Sequence, residues 1–178
     1  HGKPRLALEV ALDLARREAR LGHDREALDR VERAQRRFEQ SGLVALDLVV
    51  RTEALLGRLN HRLGATDEAD AHYARARDAR SQRPALRRAV GQAAGAEKGP
   101  WRRKGQRFGL ALDAIGQALH HFAAKERAKV IALGQGDGSP WLRRRARAVK
   151  RAVEAYRPLL DFGAPRWSVA AGLALAVE

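Results

Sequence analysis

The sequence predicts an all-α fold, a right-handed stack of about seven to nine helices paired as antiparallel hairpins. Three observations predict it. A pattern of small residues recurs 42 residues apart: Ala15, Gly22, Ala27, Val31, Ala34, then Gly57, Gly64, Ala69, Tyr73, Ala76. Ala, Leu and Arg, all good helix formers, dominate a chain with only 5% aromatic residues and six prolines. A Leu-Gly pair ends the first helix of each repeat, Leu21-Gly22 and Leu63-Gly64, where a left-handed glycine closes a helix. A hairpin of this kind cannot bury its apolar face alone, so a repeated one must stack on its neighbours.

The elements follow in order. Pro4 suits a first helical turn, because its missing N–H would be unpaired there anyway. The first helix is expected from there to Leu21. Asp24 is the expected cap of a second helix that runs to Gln40 and stops at Ser41-Gly42. Leu28, Val31, Ala34 and Phe38 form its apolar stripe. A third helix, Leu43 to Leu63, is apolar on several sides and is expected mid-stack. Thr66 is the expected cap of a fourth helix reaching Ser81, with Asp67 and Glu68 favourably placed in its first turn.

Arg83-Pro84 marks a boundary, so residues 1–82 read as two hairpins and 83–178 as a second region. A short helix is expected over 85–94 and a basic loop over 95–105. A fifth major helix should start near Gln106 and continue to Leu133. Its Ala111, Ile115 and Ala118 echo Ala69, Tyr73 and Ala76, again 42 residues on, which indicates a degenerate third repeat. Gly134 to Gly138 reads as a linker. Ser139-Pro140 then starts a basic helix with an apolar stripe at Leu142, Ala146, Val149, Val153 and Tyr156. Pro158 should terminate or kink it. Pro165 opens a last, apolar helix expected to act as a cap.

Composition narrows the function. Without Cys there is no disulfide, thiol catalysis or Cys-based zinc site. No apolar run is long enough to span a membrane, and no signal peptide is expected. A cytoplasmic protein without a membrane span is the expectation. The sequence also holds no Met, and the expectation is a piece of something larger. Ser is too sparse for a nucleophile constellation. His120-His121 point about 100° apart on a helix and chelate poorly by themselves. The glycine-rich run lacks the strand before it and the Gly-Lys-Ser/Thr ending that a phosphate loop needs. No enzyme, cofactor or metal is expected.

The net charge of +14 is uneven. Residues 1–82 carry 16 Lys/Arg and 14 Asp/Glu, whereas residues 98–157 carry 15 and 4. Such concentration marks either a solvated surface or a footprint for a polyanion or an acidic partner.

Leu56-Gly57, Gly64, Ala69, Tyr73 and Ala76 together resemble the tetratricopeptide repeat (TPR) family, as do Leu14-Ala15, Gly22, Ala27, Val31 and Ala34 with Val in place of the aromatic. The likeness covers roughly residues 8–82 clearly and 85–122 poorly. The aromatic usual early in the first helix is absent, and the period is longer than the family's. The resemblance implies a concave groove lined by first helices, with Arg16 and Arg58, and Arg20 and Arg62, at equivalent groove-facing places and His61 beside Arg62. Helical geometry agrees that the members of each pair, Arg16/Arg20 and Arg58/Arg62, share a face. Family members use such clusters to clamp a peptide carboxylate, which a planar guanidinium binds bidentately. The expected function is therefore a protein-interaction scaffold for an acidic peptide or protein surface, with an ordinary wet surface of neutralised arginines as the plain alternative.

A different class of partner, nucleic acid, is expected of two basic elements. Trp101, Arg102, Arg103, Lys104 and Arg107, with Phe108, interleave cations and aromatics as single-strand binders do, unless the rings simply anchor a loop. Arg143, Arg144, Arg147, Lys150 and Arg151 line the polar faces of the basic helix. A third reading is the helical-repeat segment of a larger multidomain regulator.

Overall fold

Two left-handed glycines close the first two hairpins with the same hydrogen-bonded device. Gly22 and Gly64 have φ of +87° and +82°. His23 N–H donates to the Glu18 carbonyl at 3.0 Å, and 42 residues on Ala65 N–H donates to Asn60 at 2.9 Å. These six-to-one bonds satisfy carbonyls that a helix end leaves open. The following helices begin one residue after His23 and Ala65, neither of which makes a side-chain cap. Asp24 and Thr66 are thus first-turn residues rather than the expected caps, because the six-to-one turn already delivers the chain into the next helix.

A computed structural model describes residues 3–82, 100–162 and 165–176, and all of them belong to helices or the turns that join them. We number the helices α1 (Lys3–Arg20), α2 (Asp24–Gln40), α3 (Leu46–Arg62), α4 (Thr66–Asp78), α5 (Pro100–Ala132), α6 (Gly138–Phe162) and α7 (Pro165–Ala176), with a 3₁₀ turn at Ala79–Gln82. No strand occurs among the described residues. No helix among them is long and apolar enough to cross a membrane. The expected helix at 85–94 lies outside the described residues. The chain divides into two compact units between Ile115 and Gly116, inside α5 and beyond the expected break at Arg83-Pro84.

In the first unit, α1 packs on α2, α2 on α3, and α3 on α4 and α1. The small residues of the repeat sit at the crossings: Ala15, Ala27 and Ala69 are fully buried, as is Val31, and Tyr73 is nearly so. Ala111, Ile115 and Ala118 on α5, the echo of that pattern, are also fully buried. α3 is the central helix, with 12 of its 17 residues buried. Its buried set includes Asp47, Arg51, Thr52, Glu53 and Asn60, a polar seam inside an otherwise apolar helix.

α5 corrects the sequence reading. It starts at Pro100, so residues 100–105 are helical rather than loop. Pro is at home in the first position of a helix, where no N–H is required. The helix also runs unbroken through Gly105, Gly109 and Gly116.

In the second unit, α6 packs on α7. Its buried face is Ala152, Tyr156 and Leu159, not the expected stripe. Leu142 is 58% exposed and Val153 38%, and Ala146 is exposed as well. Two sets of residues with helical spacing overlap at Tyr156, and packing chose the one that carries Ala152. Pro158 lies inside α6, which continues to Phe162. Trp167 and Ala171 of α7 are buried, and Trp167 meets α5 at Gly116, where an added Cβ would come within 2.3 Å of the ring. The glycine-rich linker is held by Trp141, whose Nε1 donates to the Leu133 carbonyl at 3.3 Å and whose ring covers Gly136. Arg145 stacks 5.4 Å from the same ring.

Candidate functional site: guanidinium clusters in each unit

α1 and α3 meet in register, 42 residues apart, along a seam of charge. At one end Arg5 Nη2 donates to Asp47 Oδ2 at 2.8 Å. Next along α1, Glu9 Oε2 accepts from Arg107 Nη2 of α5 at 3.0 Å, while its Oε1 lies 2.9 Å from Arg107 Nε and 3.5 Å from Arg5 Nε. One turn further Asp13 accepts from Arg16 at 3.2 Å, and Arg51 approaches the same oxygen only to 3.9 Å. Arg58 closes the row, near enough to Arg16 for the two charges to repel.

Five guanidiniums therefore share three carboxylates among the described residues. The shortage is greatest where burial is deepest. The Arg51 side chain is 3% exposed, and its Nε and that of Arg58 are buried without a hydrogen-bond partner. Burial, followed by repulsion from Arg51, lowers the pKa of Arg16; burial is also the main cause that lowers Arg51. Both remain cations at neutral pH, since guanidinium starts far above it. The seam reaches water at Asp13, 64% exposed, and at Arg16, 24% exposed. An anion entering there would meet guanidiniums already held in place.

The expected groove residues divide. Arg16 and Arg58 come together. Arg62 does not join them: its Nη1 donates to the Ala19 carbonyl at 2.7 Å and its Nη2 lies 3.1 Å from Asp24, so it braces the α1–α2 turn. Arg20 and His61 are exposed. Arg51, which belongs to the cluster, is missing from the sequence reading. The signal that points to it is a lone cation in the apolar run of α3, and such a residue ordinarily reads as one on a wet face.

A second polar site in the first unit is closed. Glu53 of α3 is buried and accepts from Arg75 Nε at 2.7 Å and from Gln35 at 3.3 Å, with His72 Nδ1 at 2.8 Å. It ties α2, α3 and α4 together.

The basic elements also divide. Arg107 is spent on Glu9. The side chains of Trp101, Arg102, Arg103 and Lys104 lie outside the described residues. On α6, Arg143, Arg144, Arg147, Lys150 and Arg151 are all exposed. Three of them, Arg144, Arg147 and Arg151, line a groove of about 250 Å³ with Lys129, Glu126, Leu133 and Ala148. His120 of α5 sits against Tyr156 and Trp167, with ring centroids 6.1 and 5.4 Å away, and burial lowers its pKa. Among the described residues, no three His, Asp or Glu side chains converge as a metal site would require.

No family model, curated protein or solved structure matches this chain.

Proposed function

We propose that this chain is a non-catalytic protein-interaction module, a right-handed stack of TPR-like hairpins that binds an acidic peptide or acidic protein surface. The binding group is Arg16, Arg51 and Arg58. The observation that carries the reading is the excess of guanidinium over carboxylate in the α1–α3 seam, with Arg51 and Arg58 each holding a buried, unpartnered Nε. A buried cation short of partners is costly to the free chain, and an incoming carboxylate offsets that cost. The planar fork of Arg suits a carboxylate better than a Lys ammonium would. The 42-residue register, repeated in the turns and in the facing of Arg16 and Arg58, supports the repeat arrangement.

The test is fluorescence anisotropy with a labelled Glu/Asp-rich peptide bearing a free C-terminal carboxylate. Arg16→Gln with Arg58→Gln is expected to weaken binding about tenfold or more, equivalent to ~1.4 kcal/mol or above. Arg20→Gln with Arg37→Gln, both exposed, removes the same charge outside the cluster and should change it little. Equal losses from both pairs would reduce the effect to net charge and overturn the reading.

A further inference from the structure

We propose that the groove between α5 and α6 in the second unit is a separate site for the phosphate backbone of a nucleic acid, bound without sequence preference. Arg144, Arg147 and Arg151 are spaced three and four apart on α6, which places them in one row about 10 Å long. Lys129 faces them from the α5 wall, where Glu126 is its partner. None of the three arginines has an acidic partner among the described residues, and Arg143 and Lys150 extend the cationic surface beyond the groove. The floor is apolar, from Leu133 and Ala148.

The chemistry favours a row of phosphates. A linear array of unpaired guanidiniums matches a ligand whose anions repeat along a line, and each bidentate contact suits a phosphate as well as it suits a carboxylate. Among the described residues no aromatic side chain lines the groove, so none of them offers a ring on which a base could stack. Backbone contacts position a nucleic acid and carry no sequence information. The interaction is therefore electrostatic and salt-dependent, and it differs from the first-unit cluster, where carboxylates lie among the cations and Arg51 is buried.

The experiment uses the full chain and four labelled probes: a 20-mer single-stranded RNA, a duplex DNA of equal charge, poly-glutamate, and vesicles containing phosphatidylserine. Binding is measured against salt. Either nucleic acid, or both, should bind with log affinity falling linearly in log salt, and the two arms tell single strand from duplex. Replacing Arg144, Arg147 and Arg151 with Gln should lower the slope by about 2 to 3, roughly one for each phosphate contact removed. An equal charge removal in the first unit, Arg20, Arg33 and Arg37 to Gln, should leave the slope unchanged. If the triple variant loses its helical circular dichroism, Lys129→Gln with Arg147→Gln asks the same question with an expected fall of about 2. An unaltered slope in a folded variant overturns the site. So does equal binding of poly-glutamate, or binding of vesicles alone.

Discussion

Gly57 lies directly under the ring of Tyr73. A Cβ built at Gly57 would be 2.9 Å from Tyr73 Cγ and 3.0 Å from both Cδ atoms, closer than carbon atoms approach without displacement. α3 and α4 therefore cross at a distance that only glycine permits at position 57. Gly57→Ala should destabilise the chain by about 1–3 kcal/mol, the usual range for overpacking a filled core. Gly109→Ala provides the contrast, since nothing lies within 4 Å of its added Cβ. That change should stabilise by up to about 1 kcal/mol through helix propensity alone. Urea unfolding of the two variants checks both signs.

Arg51 yields a second prediction, in which stability and binding move in opposite directions. Arg51→Met replaces a buried guanidinium, weakly paired at 3.9 Å, with an apolar side chain of similar length. Such replacements are often neutral or stabilising by about 1–4 kcal/mol. The variant should melt at the same temperature or higher, while its affinity for the acidic peptide falls. Asp47→Asn should do the reverse to stability, because it removes the buried negative charge that Arg5 pairs with at 2.8 Å. A joint melting and anisotropy series reads both effects.

The third prediction concerns pH. Burial raises the pKa of Glu53, but hydrogen bonds with His72 and Arg75 outweigh it and hold the group below the ordinary carboxylate value. A carboxylate depressed on folding contributes stability that is fully present above its unfolded pKa, about 4.3. The contribution is lost as pH falls through the lower folded value. Stability should therefore drop on acidification below about pH 5, where the unfolded chain starts to bind the extra proton. Glu53→Gln should flatten that limb while lowering stability at neutral pH. Melting temperature against pH from 3 to about 7 spans the window.

The second unit has its own steric test. An added Cβ at Gly116 would come within 2.3 Å of Trp167 Cδ1, and Trp167 is only 9% exposed. Gly116→Ala must displace that ring. The expected result is a red shift of Trp emission together with a loss of about 1–3 kcal/mol. Unchanged emission with unchanged stability would show that α7 can slide on α5 at no cost.

Much of the first unit was legible in the sequence because close crossings demand small residues and turns of this type demand glycine. Ala15, Gly57, Ala27 and Ala69 announce the crossings, and Gly22 and Gly64 announce the turns. The extent of α5 was not legible. Residues 95–105 read as a basic loop, but Pro100 fits a first turn and the low helix propensity of Gly105 yields to its context. The buried face of α6 was not legible because Leu142, Ala146 and Val149 keep the same spacing as Ala152, Tyr156 and Leu159, and periodicity alone cannot choose between them. In the guanidinium cluster, the pairing of Arg16 with Arg58 followed from the repeat. Arg51 did not, since no local pattern distinguishes a buried arginine from a surface one. The reach of Arg62 to the Ala19 carbonyl was not legible either, because it is a tertiary contact.

The matched turns at Gly22 and Gly64 bear on how the chain tolerates changes of length. Each added residue inside a helix rotates everything beyond it by about 100°. One insertion between Arg5 and Arg16, or between Asp47 and Arg58, would let only one of the pairs Arg5–Asp47 and Arg16–Arg58 meet, while every amino acid of the seam was still present. The link from Ser41 to Ala45 is different. Gly42 holds a left-handed conformation with nothing within 4 Å, and Val44 is 94% exposed. Extra residues, a protease site or a reporter epitope inserted there would lengthen the connection between the hairpins and leave the rotation of both helices as it was.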